Sequence, residues 1–376
     1  MLKILKHICV ICIICLLTAV LPGCGKSGTQ TSTVEKLLSN MTLEEKVWQM
    51  FFVAPEDITG VGTVIQAGEA TKKALNDYPV GGIIYFGQNI KSRGQIKEMI
   101  AKTQSYSKIP LFLAVDEEGG RVARLGNAGV IDKQPPMREI GDSGNSAKAR
   151  EIGEFLGAEL KELGFNMDFA PVADVMTVGN NEDIGDRSFG TEPSAVADMV
   201  AAEVEGIQSK GVSATLKHFP GNGSTTANTH YSKAICKRTA EELRQCEFIP
   251  FKAGIDAGAD AVMVTHAAFM NITGDETPST LSPVIIGDYL RGELGFNKVV
   301  ISDAFNMGAV TNEYTLEDAA VKAVQAGIDV ILMSTDVKKA HAAVVDKVCA
   351  GEISAQRIDE SVKRILDLKR ERGLLQ

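Results

Sequence analysis

Short polar runs along this chain bring carboxylates, imidazoles and fixed cations together. They are Asp116-Glu117-Glu118 with Arg121 and Arg124, Asp174, Asp186-Arg187-Ser188, Lys217-His218, Thr265-His266, Ser302-Asp303, and Ser334 with Asp336. The stretch from Lys217 to His230, KHFPGNGSTTANTH, adds a further histidine behind Gly, Pro and small polar residues, the composition of a mobile, reactive loop. Singly, each run reads as a helix cap or a loop salt bridge. Jointly they offer a carboxylate nucleophile and a separate proton donor, a pair suited to cleaving a glycosidic bond through an oxocarbenium-like transition state. Asp, Lys, Arg and His also match the hydroxyl groups of a sugar. Three histidines and Asp303 could instead hold zinc, but no His-x-His or His-Glu-x-x-His pair occurs. No metal and no cofactor is therefore expected.

Such residues need a frame that brings distant runs to one place. Apolar, β-prone runs recur at residues 49–53, 82–86, 110–115, 166–170, 213–216, 261–264, 298–301 and 329–333. Helix-like segments separate most of them, at 95–105, 146–163, 193–210, 240–257, 282–293 and 316–326, with 340–348 and 354–368 after the last. Strands apolar along their whole length, alternating with amphipathic helices, indicate a parallel sheet covered by helices. Eight such repeats predict an α/β fold, a single (β/α)8 barrel of the TIM type. An open doubly wound sheet is the alternative, but no glycine-rich phosphate loop follows the first strand. A barrel gathers its site at the C-terminal ends of the strands, which is where the polar runs fall.

Composition restricts the partners. The formal net charge is −9 and no run of Lys or Arg stands out, so nucleic acid is not an expected partner. Residues 1–23 read as a signal peptide, with Lys3 and Lys6 ahead of an apolar stretch too short to span a bilayer comfortably. Leu21-Pro22-Gly23-Cys24 resembles a bacterial lipoprotein cleavage site, which would make Cys24 the lipidated first residue of an extracytoplasmic protein held to the membrane by that anchor alone. Residues 24–33 are a small polar tether, and the folded domain is expected over 34–376. Cys236, Cys246 and Cys349 remain after cleavage, an odd and widely spaced set that argues against a disulfide framework.

The motifs MTLEEKVWQMFFV, VDEEGGRVARL, NMDFAPVADV, GDRSFG, KHFPGNG with a following histidine, and ISDAFNMGAV occur in this order across nearly the whole mature chain. Together they resemble glycoside hydrolase family 3, in its single-domain β-N-acetylhexosaminidase branch. The resemblance implies a retaining, metal-independent exo-glycosidase that removes terminal β-linked N-acetylglucosamine, often from peptidoglycan fragments. It implies Asp303 as nucleophile and His230 as general acid/base. Asp116, Arg124, Arg187, Lys217 and His218 would bind the sugar. Lys217 would also keep Asp303 ionised by favouring its charged form.

Two positions depart from that pattern. The branch carries Asp-Ser-His where this chain has Asn228-Thr229-His230, and Asn222 stands where a histidine is usual. Asn228 would orient His230 through its amide oxygen without supplying negative charge. Three readings follow: an active hexosaminidase that favours good leaving groups, a phosphorolytic variant, and a lipid-anchored sugar-binding or sensing protein with little turnover.

Overall fold

The computed structural model describes residues 33–179, 181–332 and 336–375. The signal peptide, Cys24, nearly all of the tether and Ser334 lie outside the described residues. From Thr33 onward the chain forms one compact unit, entered by the helix Thr33–Asn40.

Eight parallel strands close into a barrel: β1 (Phe51–Val53), β2 (Gly82–Ile84), β3 (Phe112–Val115), β4 (Met167–Asp168), β5 (Ser213–Phe219), β6 (Ala261–Val264), β7 (Val299–Ala304) and β8 (Val330–Leu332). Each pairs with its neighbours in sequence, and β1 meets β8 with Phe51 opposite Ile331 and Phe52 opposite Leu332. All eight expected runs supply a strand. β4 is shorter than expected because the Asn166 side chain takes over pairing with the neighbouring strand. Its oxygen accepts the Leu113 N–H at 2.8 Å and its amide donates to the Leu111 carbonyl at 3.0 Å. At the other end, Pro171 has no N–H to continue a ladder. β5 is longer than expected and runs on to Phe219, so Lys217 and His218 sit on the strand itself rather than in the loop after it.

Helices α1 (Glu69–Asp77), α2 (Arg93–Tyr106), α3 (Ser146–Leu163), α4 (Pro193–Ser209), α5 (Phe248–Asp256), α6 (Leu316–Ala326), α7 (Val337–Cys349) and α8 (Ala355–Glu371) surround the strands, and the π-helical segment Val284–Glu293 precedes β7. The sequence reading had no α1, whose nine residues carry few apolar positions. Residues 240–257 form two helices, Ala240–Arg244 and α5, since Pro250 in the first turn of α5 cannot donate back into a continuous helix. α3 and α4 cross closely over Gly153, Gly157 and Gly206. A Cβ on Gly206 would lie 2.4 Å from the Arg150 carbonyl oxygen, and one on Gly153 would lie 2.6 Å from that of Glu203.

α8 seals the N-terminal mouth of the barrel. Its Lys369 is fully buried, donates to the Gln49 side-chain oxygen at 2.8 Å, and lies over the Phe112 ring at 5.7 Å. Asp329, just before β8, receives Arg291 at 2.6 Å, Arg364 at 3.0 Å and Ser361 at 2.5 Å. The opposite mouth is left for chemistry.

Candidate active site

At the C-terminal mouth, a cavity of about 260 Å³ is lined by side chains from seven of the eight strands or the loops that follow them. Alternation along β5 aims Lys217 into it. The Lys217 ammonium is buried and meets Asp116 at 2.7 Å and Glu118 at 2.5 Å, both from the turn after β3. Glu118 is gripped from the other side by Arg187, at 2.8 Å from Nε and 2.9 Å from Nη2, the two-pronged geometry that guanidinium and carboxylate favour. Burial alone would raise the Glu118 carboxyl, but the charges of Arg187 and Lys217 override it and hold the group far below its usual range. Arg124 stands 3.5 Å from the second oxygen of Asp116.

His218, the next residue on β5, is fixed from behind. Asp174 lies 2.7 Å from its Nδ1 and also accepts the backbone N–H groups of His218 at 3.2 Å and Asn222 at 2.6 Å. The opposite ring nitrogen is 3.4 Å from Arg187 Nη2, which can only donate. His218 therefore directs an Nδ1–H toward Asp174 and its Nε2 toward the cavity side of Arg187. Asn222 is buried: its oxygen accepts Thr265 Oγ1 at 2.6 Å, and its carbonyl accepts the Asn181 amide at 2.6 Å.

Asp303 lies on β7, across the cavity from this ion network. One of its oxygens accepts the N–H of Ala304 at 2.8 Å. Burial would raise its carboxyl, yet the surrounding imidazoles, His218 first, then His266, together with that N–H and His230, hold it below its ordinary value. The groups that hold Asp303 down are thus the neighbouring imidazoles and the Ala304 N–H, while Lys217, the residue the sequence suggested for this role, pairs with Asp116 and Glu118. His266 is buried and pushed down by that burial. Its Nε2 faces the Ala304 carbonyl at 3.0 Å, so that nitrogen bears the proton and Nδ1 accepts from Thr280 Oγ1 at 2.8 Å.

His230 stands at the rim of the cavity, more than half exposed. The loop that carries it was expected to be free, but its backbone is tied down. Gly308 donates to the His230 carbonyl at 2.9 Å, Ala309 to Thr229 at 3.1 Å, and the Asn312 amide to Tyr231 at 3.2 Å. Gly308 allows this docking, since a Cβ there would lie 2.4 Å from the Tyr231 carbonyl oxygen. Asn228 meets His230 through the main chain, its side-chain oxygen accepting the His230 N–H at 2.9 Å. Among the described residues, no group of three or more His, Cys, Asp or Glu is placed to hold a metal ion.

The sequence matches the Glycosyl hydrolase family 3 N terminal domain over residues 42–368. The chain belongs to glycosyl hydrolase family 3. A relative from Nitrosomonas eutropha named beta-hexosaminidase is 35% identical over 291 residues, 76% of this chain and 82% of that protein. Among solved structures, a family 3 beta-N-acetylglucosaminidase from Paenibacillus sp. superposes with a TM-score of 0.84 at 37% identity, covering 89% of this chain and 63% of that one. A beta-N-acetylhexosaminidase from Beutenbergia cavernae superposes at 0.78 with 29% identity, over 89% of this chain and 99% of that one.

In this family 3 barrel, Asp116, Arg124, Arg187, Lys217, His218, His230 and Asp303 all line one cavity, while Asn228 sits behind it in the His230 loop. Glu118, Asp174 and Asp183 were given no role in the sequence reading, and each proves to hold a site residue. Glu118 and Asp174 stood in the polar runs after β3 and β4, which was the available signal. Asp183 lies in an irregular stretch that marks nothing by itself.

Proposed function

We propose that this chain is a retaining exo-β-N-acetylglucosaminidase that acts on N-acetylglucosamine-containing glycans such as peptidoglycan fragments. The observation that carries the reading is an ionised, half-buried Asp303 facing a sugar-sized cavity whose other wall is Asp116, Arg187, Lys217 and His218, with an imidazole at the rim. The cavity volume, about 260 Å³, falls below the range of roughly 300–1,000 Å³ usual for small-molecule pockets, which suits one terminal residue rather than a length of chain. Relatives named beta-hexosaminidase and beta-N-acetylglucosaminidase support the choice of amino sugar.

In the first step a carboxylate oxygen of Asp303 attacks the anomeric carbon. The glycosidic C–O bond breaks, and His230 gives its proton to the departing oxygen. Water then attacks the same carbon, His230 takes the water proton, and Asp303 leaves as carboxylate. Asp116, with one oxygen facing Lys217 and the other Arg124, can accept sugar hydroxyls while both cations hold it in place. The resemblance of residues 21–24 to a lipoprotein cleavage site supports an extracytoplasmic, lipid-anchored location.

The test is hydrolysis of an activated aryl β-N-acetylglucosaminide, with Asp303→Ala alongside. Turnover by the parent, lost by a factor of about 10⁴ or more in the variant, is the expected result. Binding of N-acetylglucosamine without turnover, or turnover that survives Asp303→Ala, would defeat it.

A further inference from the structure

His230 does have a carboxylate beside its ring, though not from its own loop. Asp183, in the connection between β4 and α4, places Oδ1 3.9 Å from His230 Nε2. Asn228 cannot fill this role, since its one oxygen already holds the His230 backbone N–H and its amide nitrogen can only donate. Asp183 is also firmly set. Its carbonyl accepts Arg121 at 2.5 Å and Arg187 at 3.0 Å, and the turn around it is braced by Asn181, which accepts the Ile184 N–H at 2.9 Å and reaches Asn222. Its side chain is mostly buried at the cavity wall. The charged and titratable groups facing His230 are Asp183, with Arg187 behind it at 3.7 Å, and Asp303 and His266 across the cavity.

A separation of 3.9 Å lies within ion-pair reach and outside hydrogen-bond reach. Catalytic hydrogen bonds are often long in an empty site and tighten around substrate. Rotation of the ring on its tied backbone, closing the gap by about 1 Å, would complete the bond.

Resting on the hydrolase reading above, we infer that Asp183 is the positioning residue for His230, a carboxylate supplied from the β4 connection in place of the one absent at residue 228. Nε2–H faces Asp183 and Nδ1 is left to exchange the proton with the glycosidic oxygen. The negative charge that stabilises the imidazolium thus comes from a different connection of the barrel.

The experiment compares two N-acetylglucosaminides, one with a nitrophenol leaving group and one with an alkyl or sugar leaving group, for the parent, Asp183→Asn and Asp183→Asn/Asn228→Asp. Asp183→Asn should lower kcat/KM, which reports only the first step, by about 10²-fold or more on the poor leaving group while changing kcat/KM on the nitrophenyl substrate by less than about threefold. Returning a carboxylate to the loop in the double variant should recover at least about tenfold on the poor substrate, which also shows that the single variant is folded. Equal losses on both substrates would assign Asp183 to sugar binding through Arg187 and overturn the inference, as would an unchanged leaving-group ratio or no recovery. A parent that turns over neither substrate defeats the hydrolase reading as well. A parent active on both, with a neutral Asp183→Asn, defeats this inference alone.

Discussion

Glu118 is buried with each of its oxygens against a cation, and its charge is what lets Arg187 and Lys217 share so small a space. Replacing it with Gln would leave Lys217 with Asp116 and Arg187 with the looser ion pair to Asp183 at 3.7 Å. The expected cost is about 3–5 kcal/mol at neutral pH, the scale for breaking a buried pair. The sign with pH follows from its lowered carboxyl: above the ordinary value of 4.5 the carboxylate stabilises the fold, and below it the unfolded chain binds a proton that the folded chain refuses. Glu118→Gln should therefore lie far below the parent in denaturant unfolding at pH 7, and the gap should narrow as the pH is taken below 4.5. A gap of constant size would mean that the Glu118 charge is not what stabilises the pair. Asp303, Lys217 and His218 were legible from the sequence because each stands in a short motif. Glu118 and Asp174 were harder to assign because they act on partners 69 and 44 positions away, a relation that only the closed barrel creates.

Among the elements, the α3–α4 crossing leaves little room for a side chain. Gly206 sits where its missing Cβ would meet the Arg150 carbonyl, and backbone cannot give way as a flexible side chain could. Gly206→Ala should destabilise by about 1–3 kcal/mol, read as a lower denaturant midpoint, with kcat unaltered because none of the crossing glycines lines the cavity. An unchanged midpoint would show that the helices can part cheaply. Periodicity located α3, α4 and α6 almost to the residue, because each has a long apolar face against the barrel. It misplaced the end of β5, since Lys217 and His218 look like loop residues until a carboxylate-lined cavity accounts for them. It also ran α5 together with the short helix before it, where Pro250 was the available sign of a break.

For the whole molecule, the barrel has one reactive mouth and one sealed by an uncompensated charge. Among the described residues, Lys369 faces Gln49 and the Phe112 ring and no carboxylate, and burial pushes its ammonium down to about 7. Between pH 7 and the ordinary lysine value of 10.5 the unfolded chain holds a proton that the folded chain has released, so stability rises with pH across that window. In Lys369→Met that rise should disappear. Thermal unfolding at pH 7 and at pH 9.5 would show the advantage of the variant shrinking toward the higher pH, and equal differences at both would mean that Lys369 stays charged in the fold. The alternating strands announced this architecture, whereas the seal draws on Gln49 and Lys369, 320 positions apart, and was invisible beforehand. The docking of the His230 loop onto Gly308 has its own consequence. Asp303 stands on β7 and the loop of His230 rests on the connection that leaves β7, so a displacement of that corner of the barrel carries both residues. In the proposed mechanism, the spacing between attack and protonation is thereby buffered against fluctuations that would otherwise separate the two events.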